Sequence, residues 1–85
     1  MKAVPTRVFK RDYEKLPPSI QRRIDKQLSL LMSDPRHPSL RTKKLQGTTD
    51  VWEISISREY RMTFTIVEEY LFLRRVGIHD VLKRP

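Results

Sequence analysis

The chain has no cysteine, only two glycines and only two histidines in its 85 residues. Without cysteine there is neither a disulfide framework nor a thiolate metal site. Gly47 and Gly77 are far apart in the sequence, so no glycine-rich loop can cradle the phosphates of a nucleotide. His37 and His79 are just as separated, and no H-x-x-x-H pair or clustered carboxylate accompanies them. Zinc and calcium chemistry are therefore not expected, and no metal or cofactor is assigned. Apolar runs end after a few residues, too short to cross a bilayer. The first dozen residues lack the apolar segment of a secretory leader, which leaves the cytoplasm as the expected location. Repeats, flexible linkers and low-complexity tracts are missing as well, and 85 residues suit a single domain over 1–85. Acid is also scarce: 10 Asp and Glu stand against 18 Lys and Arg, a net charge of +8. Such an excess implies an anionic partner, and RNA is preferred over an acidic protein or a membrane surface.

The apolar pattern has two periods. Thr6 to Phe9 leans towards β-structure. Phe9, Tyr13 and Leu16 then recur at i, i+4 and i+7, one face of a short helix that Pro17 and Pro18 end. Pro18 can open a second helix, where its missing N–H is no loss. Ile20, Ile24, Leu28 and Leu31 form the stripe of that helix, with Arg22, Arg23, Asp25 and Lys26 on its other faces. Asp34-Pro35 and His37-Pro38 stop it near Ser33. A loop from Asp34 to Thr42 follows, then Lys43, Lys44 and Leu45, then a turn over Gly47-Thr48-Thr49-Asp50. Beyond Asp50 the period becomes two: Trp52, Ile54 and Ile56 alternate with polar residues, as do Met62, Phe64 and Ile66. Tyr70 to Val76 reads as a third strand, central in its sheet. The expected fold is α+β, a helical hairpin packed on a small antiparallel sheet.

Keeping the apolar face whole fixes the expected register. A three-residue loop Arg58-Glu59-Tyr60 sets Ile56 opposite Met62 and Ser57 opposite Arg61. Glu53, Ser55, Arg61, Thr63 and Thr65 then share an open polar face. A two-residue turn at Glu68-Glu69 adds Arg74 to that face, whereas an odd-length loop adds Arg75. Gly77 marks a bulge or a close backbone approach.

Glu53, Arg61, one of Arg74 and Arg75, and His79 suit one reaction. RNA is cut without metal when a base takes the 2′-OH proton, cations hold the charged phosphorane, and an acid protonates the leaving 5′-oxygen. The plainer alternative is a solvated sheet face with cross-strand ion pairs. His37 reads first as a loop histidine bonded to backbone, and Trp52 as core. Tyr60 can stack on a base or pack inward. Arg41, Lys43, Lys44 and Arg58 are candidate phosphate contacts.

The runs DPRHPSLRTKKLQG (34–47), DVWEISISREYRMTF (50–64) and RRVGIHDVL (74–82) resemble the RelE/ParE superfamily of toxin–antitoxin toxins. The resemblance covers nearly the whole chain and implies two N-terminal helices on an antiparallel sheet. It implies a ribosome-dependent, metal-independent endoribonuclease acting on mRNA, with contacts to 16S rRNA, or else a ParE-like inhibitor of DNA gyrase, or a non-toxic relative that binds antitoxin and DNA. A cognate antitoxin is the implied protein partner, and the pair could bind operator DNA. By position, Arg61 matches a transition-state arginine, and His79 a catalytic arginine or histidine. Arg75 matches an arginine of the YafQ-like branch, and His37 a loop histidine of that branch. Glu53 and Ser55 stand where RelE itself carries two lysines, so lysine base chemistry is absent. The implied catalytic set is Arg61, His79, Arg75 and Glu53. Arg41, Lys43, Lys44, Arg58, Tyr60, Arg74 and His37 are the expected RNA contacts.

Overall fold

A computed structural model describes residues 1–48 and 50–85. Strand β1 (Lys2–Pro5) leads into helix α1 (Arg7–Glu14) and helix α2 (Pro18–Ser33). A short turn of 3-10 helix at Pro38–Leu40 precedes the two-residue strand β2 (Lys43–Lys44). Strands β3 (Trp52–Ser55), β4 (Tyr60–Val67) and β5 (Tyr70–Ile78) follow, and a 3-10 turn at His79–Lys83 comes last. The sheet order is β1-β5-β4-β3-β2, antiparallel except where β1 runs parallel to β5. The expected α+β architecture of two helices on a small sheet is present, with the long strands β4 and β5 inside the sheet. β1 was not expected. Thr6 to Phe9 is not strand: Thr6 caps α1, its hydroxyl oxygen accepting from the Phe9 N–H at 3.2 Å. An N-cap of this kind contributes about 1 kcal/mol, more than the weak β preference of this four-residue segment.

Both proline expectations hold. α1 stops before Pro17, and Pro18 is the first residue of α2. The Tyr13 hydroxyl donates to Asp25 at 2.8 Å, and the Gln21 amide donates to the Tyr13 carbonyl at 2.8 Å, so the helices are tied near their junction. The bond to Asp25 also holds the Tyr13 hydroxyl above the usual phenol pKa. Ile24 and Leu31 are buried and Ile20 and Leu28 pack beside them, as their spacing predicts. The loop after α2 carries a core residue that the spacing did not reveal: Leu40 has no exposed surface. Gly47 has φ +77°, a turn conformation that favours glycine. Thr49, in the expected turn, lies outside the described residues.

The register departs from expectation by two residues. Ser55 faces Arg61, Ile54 faces Met62 and Trp52 faces Phe64. A shift of two preserves every face, so Ile54, Met62 and Phe64 still enter the core. The loop is longer than three residues, and Tyr60 O closes it by accepting from the Ile56 and Ser57 N–H groups, at 3.0 and 3.4 Å. At the next hairpin Val67 faces Tyr70 across the two-residue turn Glu68-Glu69. That turn alone sets Arg74 opposite Thr63, but a bulge intervenes. Phe64 faces Leu73 and Thr63 faces Arg75, leaving Arg74 as the extra residue.

The expected open polar face is not open. Glu53 is 2% exposed and Thr63 is fully buried. The C-terminal segment lies against β4 and β5. The carbonyl of Pro85 accepts from Thr63 Oγ1 at 3.1 Å and Arg74 Nε at 3.0 Å, while Arg84 O accepts from Arg75 Nη1 at 3.2 Å. Gly77 marks the close approach rather than the bulge: a Cβ there would sit 2.8 Å from Val81 Cγ1.

On the other side of β5, Asp12 of α1 finishes what β1 leaves undone. β1 pairs with β5 only from Tyr70 to Leu73. Past that point the Val76 N–H donates to Asp12 Oδ2 at 3.1 Å, and Arg75 Nε donates to the same oxygen at 2.7 Å. The hydrogen bond to Asp12 raises the Arg75 pKa beyond its already high value.

Two predictions follow from this packing. Gly77→Ala should lower stability by roughly 1–3 kcal/mol through overpacking, and Gly77→Ala with Val81→Ala should lose less than the sum of the two single variants. Asp12→Ala should cost roughly 1–3 kcal/mol, because a buried donor and a guanidinium lose their acceptor together. Thermal and urea denaturation measure both.

Candidate nucleic-acid groove

A groove of about 970 Å³ opens between α2, the turn that carries His37, and the β3–β4 hairpin. Its walls carry five cationic side chains, Arg23, Lys26, Arg41, Arg58 and Arg61, together with His37, Gln27 and three serines. No carboxylate lines it among the described residues. A concave wall of one charge sign raises the local concentration of an oppositely charged ligand.

Each wall has a sequence origin. On α2, Arg23, Lys26, Gln27 and Leu30 recur at i, i+3, i+4 and i+7. They form a second stripe beside the core stripe of Ile20, Ile24, Leu28 and Leu31. Sequence reading placed Arg23 and Lys26 only on the outer faces of the helix and did not consider Gln27. The i, i+3, i+4 spacing was available as a signal, but a polar stripe on a helix ordinarily faces solvent.

The second wall is the 3-10 turn. Leu40 anchors it in the core, and Arg41 follows in the left-handed conformation, φ 48° and ψ 46°. A side chain in that region carries strain of order 1 kcal/mol, which the surrounding contacts must hold. His37 caps the turn: its Nδ1 accepts from the Ser39 N–H at 3.1 Å, with Ser39 Oγ 2.9 Å away. The expected backbone-bonded histidine is thus present, and it also lines the groove. Since Nδ1 must keep its lone pair for this bond, the neutral ring carries its hydrogen on Nε2.

The third wall is the hairpin loop. Arg61 Nη1 donates to three of its carbonyls, Ser57 O at 2.7 Å, Tyr60 O at 3.0 Å and Arg58 O at 3.2 Å. Arg23 Nε reaches Ile56 O at 3.4 Å, and Gln27 Nε2 reaches Ser55 O at 2.9 Å. Arg61 is held by one nitrogen and keeps the donors of its other two for a ligand.

The structure brings Arg61, His37, Arg41 and Arg58 together and sets the other expected residues elsewhere. Glu53 is buried, and Lys43 Nζ stands 3.1 Å from its Oε1. Its Oε2 is buried without a hydrogen-bond partner. Lys43 and Lys44 form the outer strand β2. Arg75 is bound to Asp12 and Arg74 to the C-terminal segment. His79 follows Ile78, which pairs with Tyr60, so it stands at the hairpin end of the sheet but outside the groove walls. Of the two options open for Tyr60, the ring packs against the core. Trp52 packs there too, as expected.

No family model matches the sequence, and no curated protein does. Solved structures do match. The YoeB/ParE toxin from Agrobacterium tumefaciens superposes with a TM-score of 0.80 at 20% identity, over 93% of this chain and 99% of that one. YafQ from E. coli gives 0.79 at 13% identity, over 94% of each chain. The RelB-RelE antitoxin-toxin complex from Methanococcus jannaschii gives 0.76 at 18% identity, over 94% of each chain. This chain has the fold of the RelE, YoeB and YafQ toxins.

The groove makes binding predictions of its own. Arg23→Ala and Lys26→Ala should each weaken binding of single-stranded RNA and flatten its salt dependence by about 0.7 in log K against log salt. Arg41→Gly should weaken binding in the same way yet raise stability by up to about 1 kcal/mol, because glycine tolerates the left-handed backbone. Titrations at several salt concentrations and thermal melts measure these effects.

Proposed function

We propose that this chain is the toxin of a toxin–antitoxin pair and a metal-independent endoribonuclease that cuts ribosome-bound mRNA, with the basic groove as its RNA site. The observation that carries this reading is the groove itself: five cations and a histidine, without a facing carboxylate among the described residues. The shared fold of the RelE, YoeB and YafQ toxins supports it. A cytoplasmic location and neutralisation by an antitoxin belong to the same proposal, as does binding of operator DNA by the pair.

In this reading Arg61 is the transition-state clamp. Its fixed Nη1 orients the remaining donors, and charge that develops on the phosphorane meets a group that need not reorganise. Arg23, Arg41, Arg58 and Lys26 hold the neighbouring phosphates. His37 Nε2–H donates a hydrogen bond to the leaving 5′-oxygen, which takes its proton from water. Among the described residues no carboxylate lines the groove to accept the 2′-OH proton. The 2′-OH proton therefore passes to water as the 2′-oxygen attacks, and the ribosome's part is to align that oxygen with the phosphate. His79 is exposed at the hairpin end of the sheet, one residue beyond Ile78, which pairs with Tyr60.

A second reading is a gyrase inhibitor with no chemistry. One observation favours it: of Arg61, His79, Arg75 and Glu53, only Arg61 lines the groove.

Primer extension on mRNA, with and without ribosomes, separates the two. The ribonuclease reading expects ribosome-dependent cuts that fall roughly 100-fold or more in Arg61→Ala, a loss of the order seen when a transition-state donor is removed. Cuts at wild-type rate in Arg61→Ala would refute the clamp. Inhibited supercoiling with intact mRNA would establish the gyrase reading.

A further inference from the structure

Gln27 occupies a place in the groove that no other described side chain shares: it hydrogen-bonds to both of the other walls. Its Nε2 donates to Ser55 O at 2.9 Å and reaches Ser39 O at 3.5 Å. One amide nitrogen carries two hydrogens, so both carbonyls can be served at once.

Each of these carbonyls belongs to a residue that sets the position of another group. Ser39 is held at both ends of its backbone, the carbonyl by Gln27 and the N–H by His37 Nδ1. Any movement of Ser39 therefore moves the imidazole. Ser55 is the last residue of β3 and the cross-strand partner of Arg61. Any movement of Ser55 moves the base of the Arg61 side chain and the loop whose carbonyls hold its guanidinium.

We propose that Gln27 is a positioning residue that sets the spacing between His37 and Arg61 across the groove. The inference rests on the proposed function for its catalytic meaning, though not for its geometry. The residue type fits the task. Both partners are carbonyl oxygens, so the reaching group must be a donor. A glutamate would present acceptors only. A lysine would donate but add a sixth positive charge to a groove that already holds five. The amide donates twice and adds none.

The closing experiment has two parts. In the first, NMR of the full chain compares wild type with Gln27→Leu and Gln27→Glu, both of which remove the donor. The His37 ring signals and the Arg61 Nε–H signal shift together in both variants, while the amides of Leu73 and Val76 in the central strand stay in place. Unmoved His37 and Arg61 signals would overturn the proposal, and so would core amides that move as far as the groove signals. The Glu variant keeps the size of the native side chain, so failure of the Leu variant to fold does not block the comparison.

In the second part, cleavage of ribosome-bound mRNA reads the consequence. Gln27→Leu should lower kcat roughly tenfold to a hundredfold, the effect of a small misplacement of reacting groups. KM should stay within about twofold, because the phosphate-binding cations remain. Gln27→Lys, which can still donate, should recover part of kcat. A change in KM alone would overturn the positioning role. A wild type that cuts nothing would refute the ribonuclease reading, and the NMR comparison would still decide for or against Gln27.

Discussion

The backbone carbonyls of the β3–β4 hairpin loop need donors, and meeting that need shapes the groove. A loop that reverses a chain cannot pair all its carbonyls within a sheet. Here Ser55 O is taken by Gln27, Ile56 O by Arg23, and the carbonyls of Ser57 and Arg58 by Arg61, which also reaches the Tyr60 O that two backbone N–H groups already serve. All three donors are thereby turned to face one space. Two of them are cations that would otherwise spread apart in water. The same bonds that satisfy the loop hold Arg23 and Arg61 beside each other, so loop stability and anion binding draw on one set of side chains.

The frame behind the groove depends on a comparable substitution of side chain for backbone. Where β1 ends, Asp12 takes the Val76 N–H that a longer strand would have taken, and Arg75 balances its charge. α1 is thus fastened across the exposed flank of β5. α2 is fastened to α1 by Tyr13 and Gln21, and α2 in turn supplies one wall of the groove. Arg75 is part of this fastening. Residue type alone does not distinguish an arginine that meets a substrate from one that meets an aspartate sixty-three positions away.

Much of the fold was legible in the sequence because period and proline are local signals. The helix stripes, the change to strand alternation and the breaks at Pro17 and after Ser33 all follow from neighbouring residues. The faces of β3 and β4 were legible too, since a register error of two leaves them intact. What sequence did not show depends on contacts between distant segments. The bulge at Arg74 decided which arginine faces Thr63, and a bulge has no reliable local mark. The burial of Glu53 and Thr63 under further structure turned an apparent open face into an interior. β1 is four residues long and has almost no period to read. Of the candidate site, Arg41 and Arg58 were found by residue type and position, Arg61 by strand register and the family resemblance, and His37 by the resemblance. Arg23, Lys26 and Gln27 were not, because a polar helical stripe carries no sign of what faces it.

The two outer strands have a consequence for how the chain behaves when crowded. A sheet with free edges is a template on which another chain can add a strand. One edge here is the four-residue β1, closed by Pro5, which has no N–H to offer. The other is two residues long, and both are lysines. Each edge is short, and one repels its own copy by charge. At high concentration the sheet has little to polymerise on, even though Val67 and Tyr70 remain uncovered at its far end.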